Sequence, residues 1–249
     1  MRVRPGSNRS APVLIGVGHG SRDPRSAATV GAVMDAVAAA RPGYPVRAAF
    51  LDLNAPSVER VLDAVAAAGH RHAVVVPLLL GSAFHARVDL PGLLAAARQR
   101  HPLLRVDQAE VLGPDTRLVD ALADRVRELR AASDPGVIVA AVGASSAAAN
   151  ARTGQVADEL AARTGWRTEI CFATTEPGVE VARARLLARG ARHIVVAPYF
   201  LAPGLLTDRI AAAATDLAHA GALGVHPALT ELIWNRYDTA VVERHLRSA

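Results

Sequence analysis

Two histidines, His19 and His85, each lie in a polar loop that directly follows an apolar run. His19 belongs to the loop 18–22 (GHGSR), and His85 lies within residues 81–91. Neutral imidazole, with a reference pKa of about 6.5, is a good ligand for Fe, Co, Ni or Zn at neutral pH. Loops that leave the carboxyl ends of neighbouring parallel strands open onto one crevice. We therefore predict that the two histidines share a divalent metal ion, provided that their loops follow adjacent strands.

Two other interpretations of these residues stay open at this point. Each histidine alone is also compatible with a structural role, His19 by capping a turn and His85 by packing within its loop. The run 16–21 also resembles a dinucleotide-binding loop, with Asp52 as its acidic partner on the second strand. That motif fits poorly, because Ser21 stands at its third glycine and Asp52 lies about 30 residues beyond the loop, where about 20 is usual. We therefore expect no nucleotide cofactor.

Short apolar runs alternate with longer stretches rich in Ala and Leu, a pattern typical of an α/β fold. The first strand is predicted over 13–17 and is followed by a helix over about 26–40. A second strand is predicted over 46–53. The third, over 73–80, is continuously apolar, as expected of a central parallel strand that is buried on both faces.

The same pattern then begins again in the second half of the chain. The segment 71–80 is echoed at 192–201, with a proline at the same place, and Phe50 is echoed by Phe172. Internal similarity of this kind indicates a duplicated unit. We predict two α/β domains, each a parallel sheet flanked by helices, with an active-site cleft between them. The predicted ranges are 1–12 for a disordered basic tail, 13–132 for the first domain and 137–245 for the second.

The two copies differ where the histidines lie. In the second copy the loop after the opening strand is 142–146 (VGASS), and Leu206 stands opposite His85. Neither His19 nor His85 therefore has a histidine counterpart. We predict that the first domain carries the metal chemistry and that the second has a degenerate site.

The composition limits the class of protein. Hydrophobic residues make up 51% and charged residues 20% of the chain, which excludes a disordered polymer. The single cysteine, Cys171, cannot form an internal disulfide or hold a thiolate cluster alone, which indicates a reducing cytoplasm. The net charge is +5, but every basic residue is a scattered arginine, so we expect no nucleic-acid partner. No run of about 18 apolar residues is present, so no membrane span is expected.

Taken together, these features resemble the CbiX/SirB sirohydrochlorin chelatases. The resemblance rests on the duplicated domain, the GHGSR loop, the strand 77–80 with His85 and 89–91 (DLP) behind it, and the segment 50–53 (FLDL). It covers nearly the whole chain from Val13. It implies a class II chelatase of the long, two-domain form, a lyase-class enzyme that inserts a divalent metal ion into a tetrapyrrole without ATP.

The resemblance also implies which residues form the site. His19 and His85 would bind the metal and act in catalysis, and Asp52 is a candidate third ligand at a position where many members have a longer glutamate. Sirohydrochlorin is rich in carboxylates, which arginine binds through charge-assisted and partly bidentate hydrogen bonds. The candidate substrate-binding residues are Ser21, Arg22, Arg25 and Arg87.

The metal is a substrate of this reaction, and the sequence accommodates Fe²⁺, Co²⁺ or Ni²⁺, whose affinities are ordered by the metal rather than by the site. Iron would serve sirohaem synthesis and cobalt would serve cobalamin synthesis. A non-catalytic carrier of tetrapyrrole or metal would present the same motif and is the alternative function. Short relatives pair as dimers, so the fused chain is expected to be a monomer.

Overall fold

The computed structural model of the protein describes residues 11–81, 89–131 and 133–247. These residues form two compact units, and each is an α/β unit built on a parallel sheet. The expected fold class, with duplicated parallel-sheet units, is confirmed. The predicted cleft between the halves stays a prediction.

The first unit takes in the chain up to Leu112 and again from Thr230. Its described strands form one parallel sheet in the order β2-β1-β3-β4. The elements are β1 (Val13–Gly18), α1 (Pro24–Ala40), β2 (Val46–Phe50), α2 (Val58–Ala67), β3 (His72–Pro77), α3 (Leu90–Arg100), β4 (Arg105–Gln108) and most of the last helix of the chain.

The second unit runs from Gly113 to Leu229. Its sheet has the matching order β6-β5-β7-β8, again with parallel neighbours. The elements are α4 (Thr116–Glu128), β5 (Gly136–Ala141), α5 (Ala147–Thr164), β6 (Arg167–Phe172), α6 (Val179–Ala188), β7 (Ile194–Pro198), α7 (Leu205–Ala213), β8 (Ala218–His219) and the first turn of α8 (Pro227–Arg247).

The compact units have different bounds from the predicted domains, 13–132 and 137–245. Helix α4 ends the first repeat in sequence but belongs to the second unit, and most of α8, which ends the second repeat, belongs to the first unit. An apolar helix face shows that a helix is covered, but it does not show which sheet covers it. The repeat alone therefore does not fix the bounds of the packed units.

Three predicted element bounds also differ from the structure. The third strand, predicted over 73–80, ends at Pro77. Helix α1 begins at Pro24 rather than near residue 26, because Asp23 caps it by accepting a hydrogen bond from the backbone N–H of the second helical residue. The strand predicted over 46–53 ends at Phe50. Leu53 has a φ of 62°, a left-handed conformation that does not continue a strand.

The central strands form the buried core of each unit. Every residue of β1 and of β5 is buried, and β3 is buried from Ala73 onward. Continuous burial is the consequence of helices covering both faces of a parallel sheet. Small aliphatic side chains, chiefly Val, Leu and Ala, fill both cores. The third predicted strand is therefore central and buried, as its sequence indicated.

Helix α8 is fastened to the first unit by an aromatic and ionic cluster. The Arg41 guanidinium lies 4.4 Å from the ring centroid of Trp234 and forms two hydrogen bonds with the Asp238 carboxylate, at 2.8 and 2.7 Å. The Tyr237 hydroxyl donates to the Pro12 carbonyl oxygen at 2.8 Å. Pro12, predicted as the end of a disordered tail, is thus held at the start of β1. The rest of that predicted tail, 1–10, lies outside the described residues.

Cys171 is a free, buried cysteine, and burial raises its pKa to about 12. It lies in the core of the second unit, on β6. Among the helices in the described ranges, none is both long enough and apolar enough to cross a bilayer.

Tyr199, directly after β7, contains a buried polar atom that the fold leaves unsatisfied. The residue is 4% exposed, and within the described part of the chain its hydroxyl has no hydrogen-bond partner. Burial, together with the negative charges of Asp115 and Glu159, raises the pKa of this phenol. A buried hydroxyl without a partner is destabilising by about 1–3 kcal/mol.

We therefore expect Tyr199→Phe to increase the free energy of unfolding by about 1 kcal/mol, since it removes the unsatisfied atom and keeps the ring. Urea unfolding of the two proteins at one pH measures the difference. A less stable Phe variant would contradict this, because it would mean that an ordered water molecule satisfies the hydroxyl.

Candidate metal-binding site

The strand order of the first unit determines where its functional loops emerge. The connection from β1 leads to β2 on one side of it, and the next connection returns past β1 to β3 on the other side. The carboxyl ends of β1 and β3 therefore flank the topological switch point, where open α/β sheets form their ligand crevices. The loop containing His19 follows β1. His85 and Arg87 follow β3 in sequence but lie outside the described residues.

The β1–α1 loop runs alongside the loop after β2. The Leu51 N–H donates to the Gly18 carbonyl oxygen and the Asp52 N–H donates to the His19 carbonyl oxygen, both at 3.0 Å. Asp52 thus lies in the loop beyond β2. The sequence predicted it on the second strand, and that prediction was wrong. His19 is an exposed residue at this edge of the sheet.

Gly20 makes the close approach of the two loops sterically feasible. Its φ is +98°, and a Cβ atom placed on it would overlap the carbonyl oxygen of Asp52. Only glycine adopts that conformation without penalty and leaves room for the second backbone. The glycine after His19 is therefore a steric requirement of the site.

The Asp52 carboxylate has one oxygen engaged locally. Its Oδ1 accepts a hydrogen bond from the Leu53 N–H at 2.8 Å. Within the described residues nothing bonds the other oxygen, so that oxygen is open to an external partner. His19 and Asp52 are thus carried on adjacent loops. The described part of the chain contains no group of three or more His, Cys, Asp or Glu side chains that could hold a metal ion.

Arg25 and Arg22, both predicted to bind substrate, have different surroundings. Arg25 is held by the helix cap Asp23, with Nε 3.0 Å from Oδ1 and Nη2 2.5 Å from Oδ2. This side-chain bond, followed by the bond from the Arg25 N–H, lowers the pKa of Asp23 below its usual value. Arg22 is exposed, and among the described residues it has no acceptor or carboxylate partner. Its guanidinium is therefore available to an external anion.

Ser21, the other described residue predicted to bind substrate, is used within the loop. Its hydroxyl oxygen accepts the Asp23 N–H at 3.0 Å, and its own N–H donates to Asn54 Oδ1 at 2.7 Å. These bonds hold the turn between β1 and α1.

The second unit repeats this backbone arrangement without the ligands. The Thr174 N–H donates to the Val142 carbonyl oxygen at 3.1 Å, as Asp52 does to His19, and Gly143 has a φ of +88°. Val142 is therefore the counterpart of His19. Aligning the loop 18–22 with 142–146, as in the sequence analysis, places Gly143 opposite His19 and is therefore wrong by one residue. The predicted loss of the first histidine is confirmed, whereas the pairing of Leu206 with His85 stays a prediction.

Comparison with known proteins assigns the family. The CbiX family model matches residues 13–129 and 136–240, most of the chain and both repeats. The chain belongs to the CbiX family. The sirohydrochlorin cobaltochelatase of Priestia megaterium is 28% identical over 243 residues, which cover 89% of this chain and 78% of that protein. The sirohydrochlorin ferrochelatase of the same organism is 26% identical over 201 residues, 76% of each chain.

A solved structure supports the fold assignment. SirB from Bacillus subtilis, determined with Fe³⁺, superposes with a TM-score of 0.81 and is 24% identical, covering 92% of this chain and 95% of that chain. The match spans both units of the CbiX-family protein. It therefore shows that the doubled parallel-sheet architecture is shared along almost the whole chain.

Sequence reasoning missed two residues that hold the loops of the candidate site. Asn54 was not singled out, although it holds the loop that contains His19, and Asp23 was not recognised as the partner of Arg25. Asp23 could have been found, because Asp followed by Pro is a common helix start and its carboxylate reaches a side chain two residues on. Asn54 had no such local signal, since its partner is distant in sequence.

We expect Gly20→Ala to abolish metal binding and to destabilise the protein, because the new methyl group displaces the backbone of Asp52. Gly143→Ala is the matched control, since its φ is also positive but its nearest contacts are side chains of the second unit. Co²⁺ titration and thermal unfolding of both variants test this. Wild-type Co²⁺ affinity in Gly20→Ala would contradict it.

Proposed function

We propose that this CbiX-family protein is a sirohydrochlorin chelatase that inserts Fe²⁺ or Co²⁺ into the macrocycle without ATP. The observation that carries the proposal is the family match across both repeats, together with relatives that are named as sirohydrochlorin chelatases. The chemistry is assigned to the first unit, where His19 and Asp52 lie on adjacent loops beside the switch point.

The metal is the substrate that these residues present to the macrocycle. His19 would bind it through a ring nitrogen, with His85 as the second imidazole and Asp52 as a third ligand. Carrying ligands on loops of one rigid sheet keeps them in position, so that the ion meets the macrocycle in a productive orientation. Residues 82–88 would complete the set, and this ligand set remains a proposal.

Proton transfer follows from the same residues. The two inner pyrrole N–H groups must lose their protons as the metal enters. A histidine nitrogen that has just released the metal regains a free lone pair and can accept one of them. His19 is exposed, so the proton can pass from it to solvent. The imidazole would therefore act first as ligand and then as base.

Substrate orientation is assigned to Arg22, whose side chain has no partner among the described residues. Arg22 follows His19 by three residues and would hold a carboxylate of the macrocycle by charge-assisted hydrogen bonds. Arg25 would act mainly through Asp23, by fixing the start of α1. Arg87 is retained as a further candidate from the sequence.

Relatives named for cobalt and for iron are both similar to this chain, so we propose either ion as the physiological substrate and Ni²⁺ as a third candidate. We further propose a cytoplasmic monomer that uses no nucleotide and binds neither nucleic acid nor membrane.

The distribution of arginines supports the proposed lack of a nucleic-acid surface. Many arginines pair with carboxylates of the same unit, so they do not present a continuous basic stripe. These pairs are Arg41–Asp238, Arg105–Asp107, Arg117–Asp115, Arg163–Asp120, Arg167–Asp134, Arg183–Asp216 and Arg189–Glu169.

Replacing His19 by valine tests the proposed function. The loop tolerates valine, because Val142 occupies the equivalent place in the second unit. Anaerobic metallation of sirohydrochlorin, followed by its absorption spectrum, should slow about 100-fold. His85→Ala should have a similar effect. The control is His193→Val, an exposed histidine at the amino end of β7, which should leave the rate unchanged.

Near-wild-type rates in both His19→Val and His85→Ala would refute the assigned site. A wild-type protein that binds the pigment but does not exceed the spontaneous rate would instead support the carrier function.

Replacement of Arg22 and of Arg25 should change different quantities. Arg22→Ala should raise the KM for sirohydrochlorin about tenfold, since a hydrogen bond between charged groups contributes about 1.5 kcal/mol. Arg25→Ala should chiefly lower the thermal midpoint, because it removes the partner of the α1 cap. Steady-state kinetics at several sirohydrochlorin concentrations, together with thermal unfolding, give both quantities. A KM change in Arg25→Ala alone would reverse the assignment.

A further inference from the structure

We infer that Asn54 is a positioning residue of the metal site, because its side chain fastens the loop of His19 to the loop of Asp52. The inference rests on the proposed function, since it presumes that these two loops hold the metal. We assign Asn54 no contact with the metal or with the macrocycle.

Three hydrogen bonds join the two loops in the first unit. Two of them connect backbone atoms, from Leu51 N–H to Gly18 and from Asp52 N–H to His19. The third is formed by a side chain, from the Ser21 N–H to Asn54 Oδ1 at 2.7 Å. This third bond lies two residues beyond His19 and two residues beyond Asp52. It therefore closes the segment of each loop that contains a proposed ligand.

Asn54 also shapes the turn that presents Asp52. The Asn54 N–H donates to the Asp52 carbonyl oxygen at 2.7 Å, and Leu53 between them has a left-handed φ of 62°. Asp52 Oδ1 in turn accepts the Leu53 N–H. Asn54 is therefore bonded through its backbone to one loop and through its side chain to the other, so movement of either loop is transmitted to both proposed ligands.

The second unit shows what the same fold does without this link. The two backbone bonds are present there, from Ala173 N–H to Ala141 at 2.9 Å and from Thr174 N–H to Val142 at 3.1 Å. The third donor, the Ala144 N–H, bonds instead to Asn150 Oδ1 at 2.8 Å. Asn150 belongs to α5, the helix that follows the same loop.

An asparagine therefore satisfies the equivalent backbone N–H in both units, but from different places. In the second unit Asn150 also donates to the Ala144 carbonyl oxygen at 2.8 Å, so the loop is tied to its own helix. Among the described residues, the first unit uses this N–H to join its two loops, whereas in the second unit the side-chain link between the loops runs from the Thr174 hydroxyl to the Val142 carbonyl oxygen at 2.8 Å. A purely structural need for capping this N–H would be met equally well by the arrangement in the second unit.

The experiment compares Asn54→Ala with Asn150→Ala in the full chain and uses Co²⁺ alone as the probe. Both variants remove one hydrogen bond to an equivalent loop N–H, and Asn150→Ala also removes the bond to the Ala144 carbonyl oxygen. We therefore expect Asn150→Ala to lower the thermal midpoint at least as much as Asn54→Ala. We expect Asn54→Ala to weaken Co²⁺ binding at least tenfold, as loss of a partner that orients a metal ligand typically does. Asn150→Ala should stay within twofold of wild type.

Two further measurements exclude a merely structural effect. The visible ligand-field spectrum of bound Co²⁺ should change in Asn54→Ala, because its ligands are less well fixed, and should be unchanged in Asn150→Ala. Asn54→Asp keeps an acceptor oxygen at the same place and should restore Co²⁺ affinity to at least the wild-type value.

Equal losses of Co²⁺ affinity in Asn54→Ala and Asn150→Ala would overturn the inference, as would an Asn54→Asp variant as weak as Asn54→Ala. His19→Val separates this outcome from failure of the proposed function. If wild type binds Co²⁺, His19→Val abolishes binding and Asn54→Ala has no effect, then only the positioning role fails. If Co²⁺ binding is absent from wild type or insensitive to His19→Val, both fail together.

Discussion

Strand β1 is hydrogen-bonded to β2 on one side and to β3 on the other, and it is buried along its whole length. Its register is therefore fixed from both sides, because any slip would break its hydrogen-bonded ladders to β2 and to β3 together. The chain must leave β1 at Gly18, beside the ends of both neighbouring strands. A site assembled from separate loops needs its ligands held to within roughly 0.5 Å, and this doubly paired strand supplies the rigid base.

The duplication separates what the fold requires from what the chemistry requires. The second unit keeps the strand order, the positive-φ glycine and the backbone bonds between its first two loops, yet Val142 stands where His19 does. The second unit therefore forms this turn without an imidazole. Val142 is 45% exposed, so the position is not an apolar core site either. An exposed histidine at this position agrees with the proposed role of His19 as a metal ligand.

Much of the fold could be predicted from the sequence, and the reasons are local. The buried strands are continuous apolar runs, and the matching prolines Pro77 and Pro198 both end central strands. Features that depend on distant partners were missed. The residue equivalent to His19 was identified from backbone hydrogen bonds and not from the sequence alignment of the repeats. The repeat also does not indicate that α4 packs in the second unit and most of α8 in the first. Asn54 bonds a residue 33 positions away, so no spacing rule points to it.

The placement of the proposed ligands agrees with what a chelatase must do with its ion. A structural metal site is closed by ligands from all sides and retains the metal, whereas a site that delivers it needs open positions for the acceptor. His19 is exposed at the end of a strand, and Asp52 is an exposed residue with one carboxylate oxygen bonded to a backbone N–H, so both proposed ligands are open to an acceptor. A site with few ligands still binds its metal ion if those ligands are held in place beforehand, because little binding free energy is then lost in ordering them. The close packing at Gly20 and the hydrogen bond through Asn54 would hold the two proposed ligand loops in place. Neither adds a further metal ligand that would slow release of the ion.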